Sequence, residues 1–303
     1  MIRILGTAFA ALLGLAFGSF LNVCLSRWPE GESIAKPRSH CRNCDHTLAW
    51  WENIPLLSWV VLRGHCRSCR AAISWRYPLV ELAVGALWAT VAWQFTRLAF
   101  NPEVPAISPF LHYNVDNSLG AALGGMIFFW LLVALAVLDA EHFWLPDWLT
   151  LPGIALGVVF HAVYRAVEDR YFDGPSPSAI LVGVQSTIGS AFAILAAAGL
   201  ILLIRWIYWL VRRREGIGLG DAKLMAMLAA WLGLPGALLA FALGVVLGSF
   251  TALILLAIPS TRKNETRWTA QKLPLGTFLC IGGIVSSLWG QPILAAYLRW
   301  AGF

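Results

Sequence analysis

The sequence predicts an all-α polytopic membrane protein with about eight transmembrane helices and one large cysteine-containing loop. Hydrophobic residues make up 59% of the chain, charged residues make up 13%, and the mean hydropathy is +0.70. Soluble domains carry about 25% charged residues, so this chain has too little charge to cover a water-facing surface. Long apolar runs recur along it, and four of its six cysteines cluster between the first two runs.

Apolar runs define the helices, because crossing about 30 Å of hydrocarbon takes about 20 residues. The runs span approximately residues 4–25, 77–98, 118–139, 148–165, 179–211, 236–259 and 275–297. A shorter helix is expected at about 222–234, where Gly233-Leu-Pro-Gly236 ends it, which gives eight helices. We expect residues 1–27 to form a first, retained transmembrane helix.

Basic residues orient these helices. Most of the lysines and arginines lie between the first and second runs, after the fifth run and before the last run. The positive-inside rule places these loops in the cytoplasm and both termini outside. Residues 101–117 contain no lysine or arginine and are expected to form an external loop. The net charge of +6 is thereby explained as a topology signal, without nucleic acid as a partner.

The largest cytoplasmic segment, residues 28–76, contains two Cys-x-x-Cys motifs. Their cysteines are Cys41, Cys44, Cys66 and Cys69. Four thiolates at this spacing suit tetrahedral zinc, and because four cysteines leave no open coordination position, the metal is expected to be structural. Two disulfides are the alternative, although a cytosolic loop is kept reduced. The neighbouring arginines are expected to lower the pKa of the thiols. We therefore predict that residues 28–76 form a loop module that is stabilised by a bound zinc ion.

Acidic residues near transmembrane segments are rare and informative. Asp139 ends the third apolar run, at its cytoplasmic end. The helix dipole and the apolar surroundings both disfavour a charged carboxylate there, which suits a group that must hold a proton. The alternative is an aspartate that only marks the end of the helix.

A second acid, Asp221, follows a glycine-rich segment. Gly216, Gly218 and Gly220 precede it, and glycine allows positive φ and close approach of the backbone to a ligand. The alternatives are an N-cap for the next helix and a nucleotide loop, which lacks the required strand and spacing. Because the following helix is only about 20 Å long, Asp221 is expected at membrane depth or beside a locally thinned bilayer.

Two further residues are assigned supporting roles. Asp147 follows Pro146 at the start of the fourth run and is expected to cap that helix, and Lys223 lies two residues after Asp221. Two carboxylates from separate helices can share one proton, so that one activates water and the other protonates the substrate. Asp139 and Asp221 are the candidate pair.

The chain resembles the bacterial type IV prepilin leader peptidases, which are polytopic aspartic proteases with a Gly-x-Gly-Asp motif. Besides the four cysteines, the matching segments are Gly18-Ser-Phe-Leu-Asn-Val23, Asn53-Ile-Pro-Leu-Leu-Ser58, Leu62-Arg-Gly-His-Cys66, Ile73-Ser-Trp-Arg-Tyr-Pro-Leu-Val-Glu81, Leu138-Asp139 through Leu145-Pro-Asp147, and Gly218-Leu-Gly-Asp-Ala-Lys223. They occur in the family's order over essentially the whole chain. One departure is Thr277, where the resemblance predicts proline.

The resemblance implies more than the residues alone. It makes Asp139 and Asp221 the catalytic pair of an enzyme that removes the leaders of prepilins and pseudopilins at the cytoplasmic face of the bacterial inner membrane. It implies N-methylation of the new N-terminus with S-adenosylmethionine, associated with residues 28–76 and with Gly64. Residues 77–303 are then the peptidase domain, surrounded by membrane lipid, and both termini are periplasmic.

Two other classes of function remain open from the residues. A proton-coupled membrane transporter could use Asp139 and Asp221 as a relay, but it predicts acids near mid-bilayer and two similar halves with broken helices. A zinc-containing scaffold without catalysis is the third hypothesis. Loss of proteolysis with an intact fold after substitution of Asp139 would argue against both.

Overall fold

The computed structural model describes residues 1–100, 118–172, 178–214, 216, 218–257 and 273–302. These residues form the helices α1 (Ile2–Arg27), α2 (Leu57–Val61), α3 (Arg76–Phe100), α4 (Ser118–His142), α5 (Asp147–Phe172), α6 (Ser178–Arg212), α7 (Leu219–Ala257) and α8 (Leu275–Trp300). Within these ranges there is no strand, only two isolated antiparallel bridges. The predicted all-α fold is confirmed, and the expected external loop at 101–117 lies outside the described residues.

Six of these helices are long and apolar enough to cross a membrane. They are Ile2–Glu30, Arg76–Arg97, Leu119–His142, Val184–Arg212, Leu219–Ala257 and Leu275–Trp300. A shorter apolar helix, Asp147–Val163, occupies the position of the fourth predicted span. The polytopic membrane character is therefore confirmed in the described part of the chain.

Helix α7 contains a break in the predicted place. Gly233 adopts φ 69° and ψ 175°, which is not helical, and Pro235 follows inside the same element. Proline has no backbone N–H and its ring obstructs the preceding turn, so the helical hydrogen bonding is interrupted here. The break separates the predicted shorter helix from the predicted span after it. The first part begins at Leu219, three residues before the expected start.

The chain divides into two compact units, of which the first comprises Met1–Val104 and Gly125–Ala134. Glycines bring α1 and α3 close together in this unit. A Cβ atom on Gly14 would lie 2.9 Å from the Cα of Gly85, and one on Gly18 would lie 2.7 Å from the Cα of Glu81. Small residues allow such close packing of membrane helices.

The second unit comprises Pro105–Gly124 and Leu135–Phe303. Trp231 links two of its helices, since its indole N–H donates to the Gly153 carbonyl (2.8 Å) and its own carbonyl lies 2.9 Å from Nε2 of His161. Residues 224–231 of α7 are all buried. The first part of α7 is therefore fixed within the unit, together with the acid near its start.

Candidate active site and metal centre

The four clustered cysteines form a site that could hold a metal ion. Their sulfur atoms all lie within 4.8 Å of one another, with Cys41 and Cys69 3.8 Å apart and Cys44 and Cys66 3.9 Å apart. Tetrahedral zinc with Zn–S bonds of about 2.3 Å places sulfurs about 3.8 Å apart. All six cysteines are free, so the disulfide alternative is wrong, and the sulfur geometry fits zinc.

The two cysteine motifs fold in the same way. In the first, the Cys41 N–H donates to the His46 carbonyl (2.9 Å) and the Asp45 N–H donates to the Cys41 carbonyl (2.9 Å). In the second, the Cys66 N–H donates to the Ala71 carbonyl (2.8 Å) and the Arg70 N–H donates to the Cys66 carbonyl (3.1 Å). An antiparallel bridge flanks each motif. Each motif is therefore a closed turn that presents two sulfurs.

The pKa values of two of the four thiols, Cys44 and Cys69, are shifted in opposite directions. The Asn43 side-chain amide donates to Sγ of Cys69 at 3.5 Å, and this hydrogen bond is the main cause that lowers the pKa of Cys69 to about 6. A hydrogen bond from the His46 backbone lowers the pKa of Cys44, but desolvation and the three other sulfurs together outweigh it and raise this pKa to about 12. The pKa of Cys69 is lowered as the sequence predicts, but by an amide rather than by the arginines.

Hydrogen bonds attach the module to α1 and α3. The guanidinium of Arg27, at the end of α1, donates to the carbonyls of Ser33 (2.9 Å) and Pro37 (2.6 Å). At the start of α3, the Glu81 carboxylate accepts the Leu56 N–H at 2.8 Å. Because Arg27 and Glu81 are both buried, these contacts fix the position of the module within its unit.

Gly64 lies where a side chain would be strained. Its φ is +70°, and a Cβ atom would lie 2.9 Å from Cζ2 of Trp59. Its carbonyl accepts the Ile73 N–H at 2.7 Å, and the Trp59 indole N–H donates to the Ile73 carbonyl at 3.4 Å. Glycine at this position therefore fixes the turn that leads into Cys66.

Asp139 occupies the last turn of α4 and is 6% exposed. Its Oδ2 accepts hydrogen bonds from the Thr277 backbone N–H (2.7 Å) and from the Thr277 hydroxyl (3.2 Å). Thr277 is the third residue of α8, where backbone N–H groups have no acceptor in their own helix. Asp139 therefore accepts a backbone N–H that would have no hydrogen-bond acceptor within α8. Sequence reasoning noted Thr277 only as a departure from a family pattern and missed this role.

Asp221 occupies the first turn of α7 and is 8% exposed. Its Oδ2 accepts the Gly218 N–H at 3.1 Å. The alternative that Asp221 is only the N-cap is wrong, because the helix already begins at Leu219. Positive φ is also not the reason for the preceding glycines, since none of those described has it. Gly220 instead makes room for Leu145, because a Cβ atom at position 220 would lie 3.1 Å from Cβ of Leu145.

The second unit brings both aspartates into one site. Leu145 contacts Gly220 beside Asp221, and its Cδ1 lies 3.0 Å from where a Cβ on Gly276 would be. A Cβ atom on Gly276 would also lie 2.9 Å from Cγ of Asp139. Asp139 also acts electrostatically on Asp221. Two buried carboxylates from the end of α4 and the start of α7 thus share one site.

Asp147 and Lys223 form an ion pair next to these residues. Nζ of Lys223 lies 2.5 Å from Oδ1 of Asp147, and the Asp147 side chain is 58% exposed. Asp147 lies in the first turn of α5, not before it, so the expected N-cap role is wrong. The pair joins the starts of α5 and α7.

Comparisons with known proteins agree with this architecture. Residues 12–95 match the bacterial peptidase A24 N-terminal domain, and residues 126–253 match the type IV leader peptidase family. These helices and this pair of buried acids thus occur in a chain of the membrane peptidase class. The chain belongs to the type IV leader peptidase family.

Individual relatives cover nearly the whole chain. A prepilin leader peptidase/N-methyltransferase from Stutzerimonas stutzeri is 33% identical over 96% of this chain and 93% of its own length. The protein of the same name from Pseudomonas aeruginosa has the same identity and coverage. One from Myxococcus xanthus is 35% identical over 88% of this chain and 68% of its own length. No solved structure matches the chain significantly. The family resemblance is confirmed, and nothing in these matches favours a transporter.

Proposed function

We propose that this protein is a membrane-embedded aspartic endopeptidase that removes the leader peptides of type IV prepilins and pseudopilins and then N-methylates the new N-terminal residue. The observation that supports the peptidase most directly is the pair of buried aspartates, Asp139 and Asp221, in one site of the second unit. The relatives' printed name supports both activities.

Asp139 and Asp221 divide the acid and base roles of peptide hydrolysis. One carboxylate takes a proton from the attacking water while the other, protonated, donates its proton to the carbonyl oxygen, which gives a gem-diol. The first aspartate then passes its proton to the leaving amine as the C–N bond breaks, and the second recovers its proton from the gem-diol hydroxyl. Thr277 holds Oδ2 of Asp139, and the Gly218 N–H holds Oδ2 of Asp221. Both side chains are therefore oriented before substrate binds, which reduces the entropy lost in the reaction.

Gly218, Gly220, Asp147 and Lys223 support the site. Gly220 lets Leu145 pack against the start of α7, and the Asp147–Lys223 ion pair holds that start beside α5. These contacts position Asp221 without contacting the substrate.

The module over residues 28–76 is assigned to methyl transfer, and residues 77–303 to proteolysis. Cys41, Cys44, Cys66 and Cys69 would hold zinc, which stabilises the module and leaves no coordination position for substrate. S-adenosylmethionine would supply the methyl group. Gly64 contributes by holding the turn beside Cys66 and Trp59.

The enzyme is placed in the bacterial inner membrane with its module and aspartates on the cytoplasmic side and both termini in the periplasm. The basic loops support this orientation. Membrane lipid would cover the exposed apolar side chains of the long helices, such as Phe9, Leu195 and Phe250. A prepilin enters the membrane with a basic leader on the cytoplasmic side, so its cleavage point reaches the same face.

The test is cleavage of a purified prepilin by the full-length protein in detergent or lipid. Asp139→Asn and Asp221→Asn should each abolish leader removal, because an amide cannot exchange the proton, while zinc content stays at the wild-type level. Asp45→Asn, at an exposed position of the first unit, is the matched control and should cleave normally. An Asn variant with wild-type turnover would exclude that aspartate from the pair.

A further inference from the structure

The first unit encloses a cavity of about 390 Å³. Its wall includes Ser19 and Asn22 of α1, Glu52 and Trp59 of the module, and Tyr77 and Glu81 of α3. Sites for small molecules usually measure about 300–1,000 Å³. The cavity is therefore large enough for a cofactor-sized ligand, and its wall belongs to the first unit, whereas the two aspartates belong to the second.

Two buried oxygen atoms of this wall have no hydrogen-bond donor. They are Oδ1 of Asn22, which is 1% exposed, and Oε1 of Glu52, which is 5% exposed. The other polar atoms of these side chains are engaged, since Asn22 Nδ2 donates to the Tyr77 carbonyl (3.0 Å) and Glu52 Oε2 accepts the Ala49 N–H (2.7 Å). Burying an acceptor without a partner is costly, so each oxygen marks a place for a donor.

Two of the three arginines of the wall are engaged elsewhere, since Arg27 donates to the Ser33 and Pro37 carbonyls and Arg42 pairs with Glu30. Arg67 lies over the Trp51 ring at 5.2 Å and acts electrostatically on Glu52, whose Oε2 also lies 3.3 Å from Nε2 of His46. The carboxylates of Glu52 and Glu81 lie in the same wall. The cavity therefore favours a positively charged ligand with several N–H or O–H donors.

We propose that this cavity binds S-adenosylmethionine, with Glu52 and Asn22 accepting hydrogen bonds from it. This inference rests on the proposed methyltransferase function. The ligand has a sulfonium, an ammonium, two ribose hydroxyls and an adenine amino group, so it offers both the positive charge and the donors that this wall lacks. A free N-terminal amine has one such group and would leave most of the cavity unfilled.

The test is calorimetric titration of S-adenosylmethionine into the zinc-loaded, full-length protein in detergent. Glu52→Gln and Glu81→Gln preserve side-chain size and remove one charge each, and both should raise the Kd by about tenfold or more, which is the scale of one lost charged hydrogen bond. Asp45→Asn removes a charge from the exposed surface of the same module and should stay within about twofold of wild type.

Metal analysis and prepilin cleavage accompany each titration, because they separate misfolding from loss of a ligand contact. Ultraviolet crosslinking of radiolabelled S-adenosylmethionine to the wild-type protein, followed by peptide mapping, gives a second measurement that needs no variant. Label within residues 19–81 supports the cavity, and label confined to residues 118–302 overturns it.

Failure of the cavity assignment differs from failure of the proposed function. Wild-type Kd values in both glutamine variants, with zinc and cleavage intact, would reject the cavity while methyl transfer by the wild-type enzyme stands. A wild-type protein that cleaves prepilin but neither binds S-adenosylmethionine nor transfers its methyl group would reject the methyltransferase function, and the cavity assignment with it.

Discussion

Replacement of Gly64 by alanine should damage the module while sparing proteolysis. The new Cβ atom meets two obstacles, a φ of +70° and the Trp59 ring at 2.9 Å. The indole N–H of Trp59 donates a hydrogen bond to the Ile73 carbonyl, and the ring lines the cavity that we assign to the methyl donor. Any shift of its ring therefore changes the shape of that cavity.

The loss of module stability expected for Gly64→Ala has two causes, backbone strain and a steric conflict. A second glycine with the same backbone conformation separates them. Gly31 has φ +69° but nothing within 4 Å of its missing Cβ, so Gly31→Ala has the backbone strain alone, about 1–2 kcal/mol. Gly64→Ala adds the steric conflict with Trp59, about 1–3 kcal/mol for an overpacked site. We expect the Gly64 variant to lose about 2–5 kcal/mol of module stability in total.

The assay has two readings for each variant. Zinc release during a urea titration measures the stability of the module, and separate cleavage and methylation assays measure the two activities, methylation being tested on pre-cleaved pilin. Gly64→Ala should reduce methyl transfer more than Gly31→Ala does, because only the Gly64 variant displaces Trp59 in the wall of the cavity. Equal stability and equal methyl transfer in the two variants would refute the steric argument, and parallel loss of cleavage would refute the separation of the activities.

Three further variants test other contacts. Asp147→Asn breaks an exposed ion pair with Lys223, worth about 0.2–1 kcal/mol, so kcat/KM for cleavage should fall less than about tenfold; complete loss would give Asp147 a chemical role. Cys41→Ser combined with Cys44→Ser should remove the bound zinc and make residues 28–76 sensitive to proteases; unchanged metal content would disprove the four-cysteine site. Gly282→Ala places a Cβ against the backbone oxygen of Ala240 in α7 and should lower Tm through a loss of about 1–3 kcal/mol; an unchanged Tm would mean that these helices are not tightly packed.

Hydropathy and helix-breaking residues predicted most of the architecture. Apolar runs located the spans because a membrane imposes one length and one composition on every crossing helix. The break in α7 followed from Gly233 and Pro235, whose backbone properties act locally. The cysteine spacing predicted the metal centre for the same reason, since both ligands of each motif lie within one turn.

Contacts between distant residues were not predictable in this way. Thr277 meets Asp139 across 138 positions, and nothing in either local sequence indicates that contact. Glu52 resembles a solvated loop residue by composition, yet it is buried. The Gly216–Gly220 segment was predicted to need positive φ, but Gly220 instead makes room for Leu145, a partner that the sequence does not reveal.

The repeated cysteine turns have a consequence for the cell. Each turn is closed by its own backbone hydrogen bonds and supplies two sulfurs, so a shared metal would join the two halves of the module. Cys41 and Cys66, one from each half, also line the cavity in this unit. A shortage of zinc would therefore reduce methylation more than cleavage. In zinc-starved bacteria we expect pilins that are cleaved but unmethylated.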